Sequence, residues 1–102
     1  MFIFASSCES MPVTLLEGMS SLIPIACSIS GPMPEILQSG GVYFDPKKAD
    51  SIAEAIENLI LNEQLRNEIS CRAYKRASEM SWAHCASKTL SFLVSTLSNY
   101  NR

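Results

Sequence analysis

Two carboxylates with seven residues between them, Glu9 and Glu17, carry the chemistry most legible in this chain. Glu9 lies in a polar stretch, Ser6-Ser7-Cys8-Glu9-Ser10, that follows the apolar run Phe2-Ile3-Phe4-Ala5. Such an order reads as a buried strand over 2–5 running into a loop. Pro12 follows, where a helix tolerates proline in its first turn. Val13, Leu16, Met19 and Ile23 recur at spacings of three and four, which predicts a helix over 12–21 with that face turned inward. The first backbone N–H groups of such a helix, here those of Val13 and Thr14, together with its dipole, make an anion site. Glu9 then precedes the site, and Glu17 lies about a turn and a half inside the helix. An acid beside an anion site is out of place for a bare phosphate. It fits a ligand that also carries hydroxyl groups, because one carboxylate accepts from two neighbouring hydroxyls. The plainer reading makes both glutamates solvated charges, and on spacing alone that reading is the better one.

The elements that would hold this loop follow from the rest of the pattern. Ile23–Ile29 reads as a second strand, and Gly31-Pro32-Met33-Pro34 is punctuation. Glu35–Gln38 allows one helical turn, and Glu35 is a further candidate for ligand contact. Val42-Tyr43-Phe44 is a third strand, stopped by Asp45-Pro46. Asp50 is placed to cap a helix with Ile52, Ala53, Ile56, Leu59 and Ile60 inside. A helix over 63–79 buries Leu65, Ile69, Ala73 and Ala77. Ser81 is placed to cap a last helix with Trp82, Ala86, Leu90, Leu93 and Leu97 inside and Trp82 as its core anchor. Strands alternating with helices predict an α/β, Rossmann-like, three-layer unit: a short parallel sheet followed by C-terminal helices. The strand and helix core with the loop covers 1–46, and the C-terminal helices cover 47–102.

Bulk composition bounds the function. The chain has 102 residues, 47% of them hydrophobic, and a net charge of -2. A core is affordable at this length, and the lack of a basic stripe argues against nucleic acid as partner. Apolar runs of a few residues fall far short of the roughly 20 that span a bilayer. The four cysteines form no Cys-x-x-Cys pair, which suggests reduced thiols in a cytoplasmic protein. His84 and the basic residues Arg66, Arg72, Lys75 and Arg76 read as surface groups.

Residues 6–29 resemble the Glu-x7-Glu segment of retaining glycosyltransferases of GT-B fold, in the family-four group. Gly31-Pro32-Met33-Pro34-Glu35-Ile36-Leu37 is similar to the loop that follows in that family. Gly41-Val42-Tyr43-Phe44-Asp45-Pro46 resembles its next strand, and Ser81-Trp82 the start of its last helix. The resemblance runs along nearly the whole chain in order. It implies the second half of a donor-binding domain, in which Glu17 binds the ribose of a nucleotide-diphosphate-sugar. Glu9 would act catalytically, touching the transferred sugar near its reacting end. The backbone of Met11, Pro12, Val13, Thr14 and Leu15 would cradle sugar and diphosphate. The resemblance implies no cofactor and no metal.

The family's diphosphate-neutralising Arg and Lys, its base-binding loop and its acceptor domain would all lie upstream of Glu9, and Lys47-Lys48 does not fill their position. The 102 residues are therefore not expected to catalyse transfer alone. The longer protein is compatible with peripheral membrane association. A non-catalytic module that binds a nucleotide or a partner protein is the alternative, and sequence upstream of Met1 would discriminate the two.

Two positions depart from the family pattern. Gly18 stands for the usual alanine, a cost to a helix of up to about 1 kcal/mol. Leu22 stands where a glycine is usual, so the turn there is expected to be rebuilt. Residues 2–5 are expected at an exposed sheet edge, which invites self-association or strand exchange.

Overall fold

The structure is a computed structural model, and it describes residues 1–100. Three short strands, β1 (Phe2–Phe4), β2 (Ile25–Ser28) and β3 (Val42–Phe44), form a parallel sheet in the order β1-β2-β3. Phe2 pairs with Ile25, and Ala26 with Val42. Five helices complete the chain: α1 (Val13–Ser20), α2 (Met33–Leu37), α3 (Ala49–Leu61), α4 (Glu63–Ser78) and α5 (Trp82–Tyr100). The expected α/β Rossmann-like layering is present.

The sheet has two unlike faces because side chains alternate along each strand. Ile25, Cys27, Phe2, Phe4 and Tyr43 pack with Leu15 and Met19 of α1 and with Met33 and Leu37 of α2. Ala26, Val42 and Phe44 pack against Ala55 and Leu59 of α3. α4 serves both layers, with Leu65 and Ile69 on the second and Ala73 and Ala77 on the first. α3 covers β2 and β3 but leaves Ile3 of β1 43% exposed. β1 thus lies at the sheet edge, with one face half open.

Local chemistry sets the helix ends. The Asn62 side chain accepts from the Leu65 N–H at 2.9 Å and starts α4. Ser81 Oγ accepts from the His84 N–H at 3.1 Å and starts α5, as expected. Asp50 does not cap α3; it lies in the first turn, and Lys48 holds the cap position. Arg66 is no solvated charge, because its Nη1 donates to the carbonyls of Leu59 and Ile60, both at 2.8 Å, and closes the end of α3.

Several inward faces differ from the periodicity. In α1 the buried residues are Leu15, Gly18 and Met19, while Val13 is 44% exposed. In α3 they are Ala55 and Leu59, and Ile60 is exposed. The largest difference is α5, which has no buried residue; Trp82 is 79% exposed and anchors no core. The Cα radius of gyration, 16.6 Å, exceeds the roughly 13 Å of a compact chain of this length. The excess is the length of α5 projecting from the body.

The two departures have physical accounts. A Cβ on Gly18 would lie 2.5 Å from the Phe2 ring, so the missing methyl is what lets β1 lie close against α1. The turn at Leu22 is not rebuilt: Leu22 itself takes φ 55° and bears the strain. Opposite outcomes are expected in urea denaturation. Leu22→Gly gains about 1 kcal/mol by relieving left-handed strain, whereas Gly18→Ala loses about 1–3 kcal/mol through overpacking against Phe2 despite its better helix propensity.

Candidate functional site

In open parallel sheets the ligand crevice lies beyond the carboxyl ends of the strands. Here those ends lead into loops 5–12, 29–32 and 45–48. The first two meet. Gly31 takes φ 58°, and a Cβ there would sit 3.6 Å from the Glu9 carbonyl oxygen. The buried Ser28 Oγ accepts from the Ser30 N–H at 3.1 Å and shapes the approach to that glycine. In the third loop Asp45 Oδ1 accepts from the Lys47 N–H at 3.0 Å, and the Asp45 N–H donates to Ser51 Oγ at 3.0 Å. Asp45 is thereby committed to holding its own turn.

The start of α1 is narrower as an anion site than its sequence suggests. Pro12 is fully buried and has no N–H to offer. The Val13 N–H donates to the Met11 carbonyl at 2.9 Å, and the Leu15 N–H to that of Pro12 at 3.0 Å. The expected pair of free donors, Val13 and Thr14, reduces to Thr14, whose N–H has no acceptor among the described residues. The Leu15 side chain is wholly inside the core, so it supports the loop from beneath.

Glu17 is exposed on α1, and Glu9 is half-buried in the loop before it. They do not share one cavity. Glu17 lines an open cleft of about 840 Å³, within the size range of small-molecule sites. Met11 and Val13 share its wall, and Arg76, His84 and Lys88 stand on the other side. Arg76 is held by donation from its Nε to the Ile36 carbonyl at 3.4 Å and by a 3.3 Å pair with Glu79. The sequence reading gave Arg76 and His84 to the surface and did not single out Lys88. Their meeting with Glu17 depends on how α4 and α5 pass α1, and no local spacing encodes that crossing. Glu35 is exposed in the first turn of α2 and outside this cleft.

Cys27, in the central strand, is fully buried, and burial pushes its thiol up to about 12. Burial, and then the neighbouring Cys27 charge, pushes Tyr43 up to about 12 as well. Neither group is poised for chemistry near neutral pH. Cys8, Cys71 and Cys85 are exposed free thiols. Among the described residues, no three His, Cys, Asp or Glu side chains gather as metal ligands. No helix among them is long and apolar enough to cross a membrane.

Residues 1–76 match the family described as glycosyl transferases group 1, and the chain belongs to that family. Among its relatives is the O-antigen chain mannosyltransferase B of Escherichia coli, 28% identical over 89 residues; the match covers 87% of this chain and 23% of that protein. The sucrose synthase of Denitrovibrio acetiphilus is 32% identical over 91 residues, covering 82% and 12%. In three dimensions the chain is similar to the sucrose-phosphate synthase of Thermosynechococcus elongatus, with a TM-score of 0.80 at 16% identity. That similarity covers 95% of this chain and 25% of the other, and at such identity it speaks for the fold. The chain spans a quarter or less of the length of these relatives.

The two raised groups fix an alkaline limit. The folded state keeps protons that the unfolded state releases above its ordinary values of 9.0 for Cys27 and 10.0 for Tyr43. Their contribution is fully present below pH 9 and is lost as pH rises towards 12. Urea midpoints are expected to fall steadily from pH 9 to pH 11.5, and Cys27→Ala to show a shallower fall from its own lower starting point.

Proposed function

We propose that this chain is the C-terminal part of the donor-binding domain of a retaining glycosyltransferase that uses a nucleotide-diphosphate-sugar. Family membership supports transfer of a sugar as the chemistry, and the relatives, a mannosyltransferase and a sucrose synthase, fit hexosyl transfer. One observation carries the assignment of the site. Glu17 stands on the wall of a nucleotide-sized cleft, three residues along α1 from the Thr14 N–H, which has no acceptor among the described residues.

Each group has a task in this reading. The Glu17 carboxylate accepts from two ribose hydroxyls. The Thr14 N–H, at the positive end of α1, donates to a diphosphate oxygen as negative charge grows on the leaving group. Glu9 faces the sugar being transferred. Met11 and Val13 give the nucleoside an apolar wall, and Pro12 and Leu15 fix the loop from below. Arg76 and Lys88 add positive charge across the cleft. Further cations and the acceptor domain come from other parts of a longer, cytoplasmic enzyme. The reaction breaks the bond between the sugar's anomeric carbon and the diphosphate, and the acceptor oxygen takes that position on the same face.

Two measurements test this. In amide NMR of the 102-residue chain, a nucleoside diphosphate is expected to move Thr14 and its neighbours in 9–17 more than any residue of α3. In the longer enzyme, Glu17→Ala is expected to weaken donor binding about 10- to 100-fold, the loss of hydrogen bonds to a charged acceptor. Its stability stays nearly unchanged because Glu17 is exposed. Unchanged donor affinity in that variant would refute the ribose contact. A non-catalytic binding module would keep the Thr14 response and show no turnover in the longer protein.

A further inference from the structure

On α4, Lys75, Arg76 and Glu79 follow Arg72 at three, four and seven positions, so the four side chains share one face of the helix. Across from them lies the turn that links α2 to β3. Gln38, Ser39 and Gly40 of that turn and the α4 face line a cavity of about 180 Å³. Its two walls are fixed to each other: Gly40 is buried, and a Cβ on it would lie 2.8 Å from the Ala73 Cα. The turn leads into β3, so the cavity lies at the amino rim of the parallel sheet, away from the loops that carry Glu9 and Gly31. Arg76 lines both this cavity and the cleft that holds Glu17.

The lining is cationic and rich in donors. Three cations stand with one acid. Like charges at three- and four-residue spacings repel on a helix, and an anion among them removes that repulsion. Arg72 meets Glu68 at 3.5 Å and Arg76 meets Glu79 at 3.3 Å, both as partly exposed pairs that contribute little and exchange readily. Lys75 makes no ion pair among the described residues. The turn adds neutral donors. Gln38 takes φ 51° and ψ -124°, and the Gly40 N–H donates to the Leu37 carbonyl at 2.9 Å. This is a type II′ turn, whose first central position ordinarily holds glycine. The Gln38 carbonyl accepts from the Tyr43 hydroxyl, and the trans peptide points the Ser39 N–H away from that hydroxyl. Neither this N–H nor the Ser39 hydroxyl has a partner among the described residues.

We propose that this cavity binds a phosphoryl group, with Arg72 and Lys75 meeting its charge, Ser39 donating to its oxygens, and Arg76 as the wall shared with the donor cleft. A guanidinium fork, an ammonium point charge and neutral donors together suit a dianionic tetrahedral group. The ligand is a small phosphate monoester. A walled cavity of this size admits one phosphoryl group, whereas a lipid surface would meet a flat basic face. The site is separate from the donor site and takes nothing from α5.

Amide NMR of the 102-residue chain, titrated with inorganic phosphate at an ionic strength held constant with sodium chloride, tests the proposal. Saturable shifts are expected at Ser39, Gly40 and Lys75, with half-saturation at about 1–10 mM. Lys75→Glu and Arg72→Glu are each expected to weaken binding at least about 10-fold. Both side chains are exposed, so urea midpoints stay near that of the parent chain. Lys47→Glu makes the same change of charge beyond the other end of β3 and is expected to alter the affinity less than about 2-fold. Vesicles containing phosphatidic acid are expected not to sediment the chain. The proposal is overturned by shifts that do not saturate, by shifts confined to Thr14 and its neighbours, by an equal loss in Lys47→Glu, or by sedimentation with the vesicles. The reporters lie on α4 and the α2–β3 turn, so failure here leaves the Thr14 response and the donor-site reading standing, and the reverse holds too.

Discussion

Four consecutive residues of β2, Ile25 to Ser28, are wholly removed from water, and the rest of the body is arranged to make that possible. A strand flanked by parallel neighbours is satisfied along both edges but needs apolar cover on both faces. α1 and α2 cover the Ile25 and Cys27 face. α3 covers the Ala26 face, and α4 contributes to both. Sealing β2 from both sides brings its carboxyl end, with those of β1 and β3, to one rim. The loops that carry Glu9 and Gly31 meet there, so the candidate site is a consequence of how the central strand is buried.

Close packing at this scale has local costs that two positions show in opposite ways. Gly18 gives up helix propensity so that the Phe2 ring can occupy the volume of a side chain. Leu22 keeps its side chain and accepts a left-handed backbone in the tight turn between α1 and β2. Gln38 does the same, at φ 51°, between α2 and β3. These strained links are the short connections that α1 and α2 need to return to the sheet, and the buried layers hold them in place.

The body and α5 obey different physics. The body closes its cores with its own residues, and its polar groups are largely spent on turns and helix ends, as at Asp45, Asn62 and Arg66. α5 closes nothing. Its leucines and aromatics stay in water, and Ser95 and Ser98 donate back to the carbonyls of its own preceding turn, those of Phe92 and Val94. An amphipathic helix gains most of its stability from packing its apolar face. Here none of that face is buried.

Residue pattern alone determined the order of elements, the parallel sheet, the Ser81 cap and the Leu65, Ile69, Ala73, Ala77 face of α4. These depend on local propensity and short-range periodicity, which a linear text preserves. It also singled out Glu9 and Glu17, through the ordered resemblance along the chain, since two acids near a helix start are by themselves ordinary. Only the tertiary structure decided that the Val13 N–H is already spent, that Leu22 bears its strain without a rebuilt turn, and that Arg76 and Lys88 face Glu17. It also decided that α5 has no core to enter. Periodicity marks which stripe of a helix is apolar, but whether anything lies against that stripe depends on how distant segments cross.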